Sequence, residues 1–328
     1  STTSIISLIF GKCFNQPIVP GALPSTLISL KFGECFNQPI VPGALPSSLA
    51  TLVFGDTFNQ HIDPGTLPSS ITSLVFGHSF TQELLPGTLP CYLKTLTFGY
   101  VYYMDQLDND VLPPSLRRLE GQIEHTISPG FLPEGLQSLK IDYYFNDRLT
   151  IGMLPQSLKS LTLSSAFNKP IDQGALGPAL TSLIFQNGFK RQMTPGMLPQ
   201  SLQTLKFGYH FNRTIFQGAL PLSLTTLIFG DRFNKSLSTG VLPQSLINLF
   251  FGSDFDRRLN GALPSSLQSL TLGSSFRQSL IDTLPISLTS ITFHDTYSCE
   301  DISCLPVNLK SLIFKKQLFL EQNQSWNN

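Results

Sequence analysis

The sequence predicts an all-β solenoid: a single stack of about fifteen short coils with little regular helix. A thirteen-residue run, CFNQPIVPGALPS, occupies residues 13–25 and again residues 35–47. A Leu-Pro step, replaced once by Leu176-Gly177, marks periods of 20–23 residues along the chain. After each mark comes a segment of the form L-x-x-L-x-F-G, ending at Gly33 in one period. Since one such period cannot bury its apolar side alone, successive periods must stack to form a core.

The strand of each coil is predicted by alternating apolar residues near the end of the period. In residues 26–32, TLISLKF, Leu30 and Phe32 are separated by a polar residue, which is typical of a strand. The following glycine ends the strand. Counted from Leu8 to Leu312, the chain contains fifteen such segments. Because equivalent coils stack in register, we expect these strands to form a parallel sheet.

The remainder of each coil is predicted to be a turn and a proline-rich return. A Phe-Asn step follows the glycine, and a segment such as QPIVPGALP follows that step. Proline lacks a backbone donor, so this return is neither a central strand nor a helix interior, and we expect it to be extended or tightly turned. We expect the asparagine to satisfy backbone groups of the turn.

The aromatic residue of the Phe-Asn step is predicted to form a stacked, buried spine. Burial of one such ring contributes on the order of 2–3 kcal/mol. The spine would contain Phe14, Phe36, Phe58, Phe80, Tyr102, Phe145, Phe167, Phe189, Phe211, Phe233, Phe255, Phe276 and Tyr297.

The whole unit, F-N-x-P-[IL]-x-x-G-x-L-P-x-S-L-x-S-L-x-F-G, resembles the FNIP repeat, a relative of the leucine-rich repeat. The match covers almost all of residues 1–314 and is strongest at residues 14–18, 36–40, 58–62 and 167–171. The resemblance implies a right-handed, curved superhelix whose parallel sheet lines the concave face. Since an F-box often precedes these repeats, it also implies substrate recruitment to a ubiquitin ligase. The familiar asparagine ladder of leucine-rich repeats is expected to be shifted or replaced, because Cys13 and Cys35 occupy its usual place.

Two regions depart from the period, residues 100–123 and residues 315–328. Around residues 100–123 the Phe-Asn step is lost and one period shortens to 20 residues, with Gly121 at the strand-end position. This break is consistent with drift at a tolerant loop, or with a recognition site where tyrosines and charges cluster. We predict one repeat domain spanning residues 1–328, with repeats over 1–314 and a cap or tail over 315–328.

The strand positions that point away from the core carry the predicted binding surface. The residue before the central leucine is Ser or Thr in thirteen of fifteen strands, which could bind a ligand or simply solvate the sheet. The residue after it varies, as expected where a repeat protein encodes specificity. Exposed apolar residues there suggest a partner surface. The predicted partner-binding residues on the concave face are Lys31, Val53, Val75, Thr97, Tyr100, Lys140, Ile184, Lys206, Tyr209, Ile228 and Phe250.

The sequence gives little support for nucleic-acid binding, membrane insertion, metal binding or catalysis. The 21 basic and 21 acidic residues cancel, which argues against a nucleic-acid partner, and no apolar run is long enough for membrane insertion. Cys13 and Cys35 are close enough in the predicted stack for a disulfide, although reduced thiols are the commoner arrangement there. No histidine or cysteine spacing indicates a metal, a cofactor or a catalytic triad. Cytoplasmic localisation is favoured, with a virion as the alternative.

The predicted function is therefore that of a non-enzymatic protein–protein interaction scaffold. It would bind a macromolecular partner through the concave face and, if an F-box lies upstream, would serve as a substrate-recognition module of a ubiquitin ligase. The alternative is a structural or self-associating protein of a coat, matrix or virion. A carbohydrate-binding solenoid is a third class, for which only Phe250, Tyr100, Tyr143 and Tyr209 supply aromatic rings on that face.

Overall fold

A computed structural model describes residues 4–100, 102, 107–123, 127–294 and 305–315. The chain divides into two compact units, Ser1–Gln186 and Asn187–Asn328. Both units are built from short parallel strands and contain no helix among the described residues. The predicted β-solenoid architecture is thereby confirmed. Tyr297, Cys299, Cys304 and residues 316–328 lie outside the described residues.

The described residues form fifteen strands, as predicted, and within each unit the strands pair in chain order. The first unit contains β1 (Ser7–Ile9), β2 (Ser29–Lys31), β3 (Thr51–Val53), β4 (Ser73–Val75), β5 (Thr95–Thr97), β6 (Arg118–Gln122), β7 (Ser138–Asp142), β8 (Ser160–Leu163) and β9 (Ser182–Phe185). The second contains β10 (Thr204–Lys206), β11 (Thr226–Ile228), β12 (Asn248–Phe250), β13 (Ser269–Thr271), β14 (Ser290–His294) and β15 (Ser311–Lys315). The solenoid has about 13 turns, slightly fewer than the fifteen or so coils predicted.

The path between strands is a succession of tight turns. In the first coil the Phe14 amide donates to the Gly11 carbonyl at 3.0 Å, which turns the chain off the strand. The return then bends at a type II turn, with the Ala22 amide donating to the Val19 carbonyl at 3.1 Å. The second central position of that turn requires a positive φ, and Gly21 provides it at 80°. Glycine recurs in this chain because most coils repeat that turn, as Gly43, Gly65 and Gly87 do.

The strands pair in exact repeat register, so like residues stack on like. Leu30 pairs with Leu52, and Leu52 with Leu74, and these central leucines are fully buried. The flanking residues of each strand point outward and stay partly exposed. This alternation separates a leucine column inside from a variable column outside.

Two aromatic columns run beside the leucine column. The predicted spine of the Phe-Asn step is confirmed, with Phe36, Phe58 and Phe80 stacked at 6.0 and 6.1 Å between ring centroids. The strand-end phenylalanines form a second column, and Phe32 also stacks on Phe36 of its own coil at 3.8 Å. In coils that carry both phenylalanines, such as those of Phe36 and Phe58, a buried ring has aromatic neighbours both within its coil and in the next one, which favours one coil spacing.

The glycine after each strand is required by close contact between coils. A Cβ added to Gly33, Gly55, Gly77 or Gly99 would lie 1.9–2.2 Å from the carbonyl oxygen of the equivalent glycine one coil earlier. No real side chain tolerates that distance. Where this glycine recurs, the backbones of successive coils thus approach more closely than any other residue permits.

Side-chain ladders join the coils on the far side of the core. The Asn37 side chain accepts a hydrogen bond from the Asn59 backbone amide at 2.9 Å, and Asn15 accepts one from Asn37 in the same way. An asparagine ladder therefore exists at the shifted position, and its amides bridge successive coils instead of closing their own turn as predicted. A second ladder, not anticipated from sequence, is formed by the serine of L-P-x-S-L. Ser70 Oγ, for example, donates to the Leu49 carbonyl at 2.6 Å.

Candidate functional site

All the predicted partner-binding residues except Tyr100 and Tyr209 lie in one outward-facing column in each unit. In the first unit Lys31, Val53, Val75 and Thr97 occupy equivalent positions of β2 to β5, followed by Glu120 and Lys140. In the second unit Lys206, Ile228 and Phe250 continue the same position in β10 to β12. These residues thus share one repeat position; a binding role for them remains a prediction.

Exposure within this column is lower than predicted for the apolar members. Ile184, Ile228 and Phe250 are half-buried, whereas Lys31 and Lys206 are exposed. Strands of a parallel sheet lie about 4.8 Å apart, so neighbouring side chains of the column cover one another. The apolar stretches are therefore narrow strips of accessible surface.

The regular column is interrupted where the glycine after the strand is lost. Gln122, Asp142, Ser164 and Gln186 replace it in four successive coils. Strands β6 and β7 extend to five residues as a result, and Gln122 pairs with Asp142 at their ends. In these four coils polar side chains thus occupy the carboxyl edge of the sheet, at the position where glycine-containing coils such as those of Gly33 and Gly55 have close backbone contact.

A cluster of rings lies directly beyond this edge. Tyr100 and Tyr143 meet edge to face with ring centroids 5.3 Å apart, although they belong to coils two steps apart. They reach each other because the intervening coil is the short one and places Ile123 in the core at this position. His78 stacks on the other side of Tyr100 at 4.4 Å. We refer to His78, Tyr100, Tyr143 and the adjacent Tyr144 as the tyrosine patch.

Tyr143 adopts a strained backbone conformation. Its φ is +58°, a left-handed value that is uncommon for any residue other than glycine. The strain arises because Asp142 continues the strand for one residue and the chain must then turn sharply. Strained residues cluster at functional sites, so this conformation marks the patch as a candidate. Tyr100, Tyr143 and Tyr144 are all exposed to solvent.

Three charged groups border the tyrosine patch. The Lys140 ammonium pairs with Glu120 on the neighbouring strand, and it lies 3.5 Å from Asp142 Oδ1. Burial lowers the pKa of Lys140, but the hydrogen bond to Glu120 and the two carboxylates outweigh that effect and raise it. Burial raises the pKa of Asp142, and Glu120 adds to the increase while Lys140 opposes it. The patch therefore has a lysine between two carboxylates next to three exposed rings.

Gln122 adds a buried polar group beside these charges. Its side chain is almost fully buried, and its Oε1 has no hydrogen-bond partner among the described residues. Asp142 is contacted from the other side by Gln186, at 3.5 Å. An amide of this kind is costly to bury without a partner, so it is a further departure from the repeat that stacking does not explain.

The described residues contain no group of three or more His, Cys, Asp or Glu placed to hold a metal ion. Cys13, Cys35 and Cys91 are free thiols. Nor does any helix in the described part of the chain have the length and apolar character to cross a membrane. The tyrosine patch has planar rings that can pack against a bound molecule, with hydrogen-bond donors and acceptors beside them.

Sequence reasoning located part of this site. It named Tyr100 and Lys140 and noted the irregular period, and the structure brings both residues to the same edge of the first unit. It did not assign His78, Glu120, Asp142 or Tyr144 to a site. The loss of glycine at positions 122 and 142 was the available signal. Val101, residues 103–106 and residues 124–126, which belong to the same break, lie outside the described residues.

The predicted residues of the second unit form a separate surface. Tyr209 is exposed at the carboxyl edge of β10, and the Arg232 guanidinium lies over its ring at 5.2 Å. Burial lowers the pKa of His210, and the nearby charges of Lys190 and Arg232 lower it further. This edge is therefore rich in cations, in contrast to the mixed charges around the tyrosine patch.

Comparison with known proteins agrees with the architecture. A family model described as FNIP Repeat matches residues 2–35, 36–79, 58–101, 80–120, 124–166, 167–210, 211–254, 255–296 and 276–317. No curated protein matches the chain.

Among solved structures, the crystal structure of CroV588, described as a novel circular leucine-rich-repeat protein structure, is 34% identical with a TM-score of 0.82. The match covers 96% of this chain and 50% of CroV588, so the chain spans about half the length of that protein. YopM from Yersinia enterocolitica is 22% identical with a TM-score of 0.55, over 90% of this chain and 65% of YopM. The internalin InlF from Listeria monocytogenes is 14% identical with a TM-score of 0.50, over 96% of this chain and 88% of InlF. At such low identity the last two likenesses show the fold alone.

Proposed function

Because the chain belongs to the FNIP repeat family, we propose that it is a non-enzymatic scaffold that binds a protein partner through the outward face of its sheet. Solenoids with leucine-rich-repeat architecture are typical interaction scaffolds, since an invariant core supports a variable surface. Within that surface the proposed contact centre is the tyrosine patch with Glu120, Lys140 and Asp142.

The strained Tyr143 is the observation that carries this proposal. The fold has no need of it, because the other coils whose turns lie within the described residues leave the strand without a left-handed tyrosine. Tyrosine is enriched among the residues that contribute most to binding energy at protein interfaces, since it buries a large ring and keeps a hydroxyl for hydrogen bonding. The neighbouring lysine and carboxylates would then set orientation and specificity.

The identity of the partner depends on the rest of the protein. If an F-box precedes the repeats, the same surface would select substrates for a ubiquitin ligase. If no such domain is present, the surface would hold a partner without modifying it. In both cases the binding step assigned to the described residues is the same.

Affinity capture from the native source tests the proposal. A Tyr100→Ser/Tyr143→Gly double variant removes both rings and relieves the positive φ, so it should fold normally and lose the captured partner. Tyr92→Ser, which removes another exposed tyrosine away from the sheet face, is the matched control and should capture normally.

A second variant locates the surface within the sheet. Ile228→Asp/Phe250→Asp changes the outward column of the second unit and should weaken capture only if the partner extends that far. Undiminished capture by both double variants would contradict binding through the sheet face. Ordered self-assembly of the purified chain, without any partner, would instead support a structural role.

A further inference from the structure

The net charge of zero conceals an uneven distribution along the chain. Residues 187–294 contain nine Lys and Arg residues against four Asp and no Glu. The excess positive charge is concentrated two residues after the buried phenylalanine of successive coils. There Arg213, Lys235 and Arg257 follow one another at intervals of 22 residues. We call these three residues the cationic column; Arg191 occupies the same position one coil earlier.

The arginines of the cationic column are held in place by the preceding coil. Arg213 Nε donates to the Lys190 carbonyl at 2.7 Å, and Arg257 Nε donates to Asn234 Oδ1 at 3.0 Å. An arginine fixed through Nε keeps the outer part of its guanidinium available, and that fork matches a carboxylate. None of the three side chains forms an ion pair with a described residue.

Two of the three acidic groups nearby accept hydrogen bonds from the backbone of the next coil. Asp256 occupies the asparagine position of its coil and accepts from the Arg277 backbone amide at 2.9 Å. Asp231 accepts from the Ser253 backbone amide at 3.2 Å. Asp254 is exposed in the same region. These aspartates therefore reduce the positive field but do not neutralise the cationic column.

The spacing of the column fits an extended chain. The Phe211, Phe233 and Phe255 rings, each two residues before a column member, repeat at 6.1 and 6.0 Å between centroids. In an extended peptide, side chains on one side repeat every two residues, or about 6.7 Å. Over the two intervals of the column the mismatch reaches only about 1.3 Å, which flexible lysine and arginine side chains can absorb.

We propose that the cationic column binds an extended acidic segment of a protein partner, with an acidic residue at every second position facing one coil each. The inference rests on the proposed function in taking the partner to be a protein, but it assigns a second surface remote in sequence from the tyrosine patch. Single-stranded nucleic acid is disfavoured because such sites interleave cations with exposed stacking rings. The ring two residues before each column member is buried and cannot stack on a base. Phe216 and Tyr209 are exposed rings in the coil of Arg213, and the oligothymidylate arm of the test below measures whether they bind bases.

The test uses a fluorescein-labelled peptide with aspartate at every second position, separated by serine. A control peptide has the same composition with all aspartates contiguous. Fluorescence anisotropy at low salt should show tighter binding of the alternating peptide, with affinity falling as salt increases. Equal binding of the two peptides, or tighter binding of an oligothymidylate, would overturn the proposal.

Other coils of the chain show which residue can replace the column cations without disturbing the repeat. In the first four coils the column position is glutamine, and Gln60 Nε2 donates to Asn37 Oδ1 at 3.0 Å much as Arg257 Nε donates to Asn234. Arg213→Gln/Lys235→Gln/Arg257→Gln should therefore keep the fold and lose on the order of tenfold in peptide affinity. Lys94→Gln, which removes an exposed cation of the first unit outside the column, is the control and should bind normally.

Single Arg213→Gln and Arg257→Gln variants, each expected to lose part of the affinity, keep the test valid if the triple variant unfolds. Unchanged affinity in the folded variants would refute the assignment. The peptide assay does not depend on the native partner. A negative peptide result therefore leaves the capture experiment on the tyrosine patch unaffected, and a negative capture result leaves the peptide measurement valid.

Discussion

Gly55 is a residue at which the repeat permits no side chain. A Cβ there would lie 1.9 Å from the Gly33 carbonyl oxygen, which belongs to backbone and cannot move aside cheaply. We expect Gly55→Ala to lower the free energy of unfolding by about 2–3 kcal/mol, as overpacking does in other cores. Urea denaturation followed by circular dichroism measures the loss.

Gly11 provides the matched control at the same position of the repeat. It has no atom within 4 Å of an added Cβ, so Gly11→Ala should leave stability nearly unchanged. If the two variants were equally stable, the close approach of successive coils would not be what excludes a side chain at this position.

Asp142 makes stability depend on pH in a direction that can be worked out. Burial raises its pKa above the ordinary value of 3.8, so in the window between the two values the folded protein binds more protons than the unfolded chain. This carboxyl therefore makes the free energy of unfolding fall as pH rises through that window. Asp142→Asn should remove the contribution, so that the variant gains stability relative to the parent as pH increases.

Thermal melts of parent and variant at several pH values between 3.5 and 7 or so test this prediction. The informative quantity is the difference in Tm between the two proteins, since other carboxylates titrate equally in both. A difference that stays constant with pH would show that burial does not shift this pKa.

The asparagine ladder is the element that most clearly joins one coil to the next outside the sheet. Asn37 Oδ1 accepts from both the Asn59 backbone amide and Gln60 Nε2. Asn37→Ala leaves these two donors without that acceptor, and we expect it to cost about 1–2 kcal/mol of stability. Asn37→Asp preserves the acceptor, as Asp256 does in its own coil, and should cost less. Equal losses in chemical denaturation would show that the ladder contributes packing alone.

The elements that sequence could predict are those whose signal repeats. Strand position, parallel register and the Phe14-to-Phe80 spine followed from spacing, because each residue meets its own copy one coil away. The serine ladder was missed since Ser70 has the same appearance in the sequence as a solvated turn residue. The tyrosine patch could be placed only approximately, because Tyr100 and Tyr143 meet across a shortened coil and no repeat rule describes that contact. The lower exposure of Phe250 likewise depends on neighbouring side chains and not on its position in the period.

At the scale of the whole molecule, stability is expected to be a sum of local terms. The strand ladders, aromatic columns and side-chain ladders of each unit mostly link residues about one repeat apart. Proteins built in this way behave as chains of nearest-neighbour interactions, in which a local defect weakens adjacent repeats first. Some contacts in the break skip a coil, such as Gln186 with Asp142, so the range of coupling there should be longer.

Hydrogen exchange measured by mass spectrometry can test this expectation with one variant in each unit. Gly230→Ala places a Cβ 2.0 Å from the Gly208 carbonyl oxygen, the same defect that Gly55→Ala creates in the first unit. Faster exchange should appear around β10 to β12 in Gly230→Ala and around β2 to β4 in Gly55→Ala. In both variants the increase should decline with coil distance from the substitution. Equal loss of protection in all described strands for both variants would instead show that the solenoid opens as one cooperative unit, and additive coil energies could not then account for its stability.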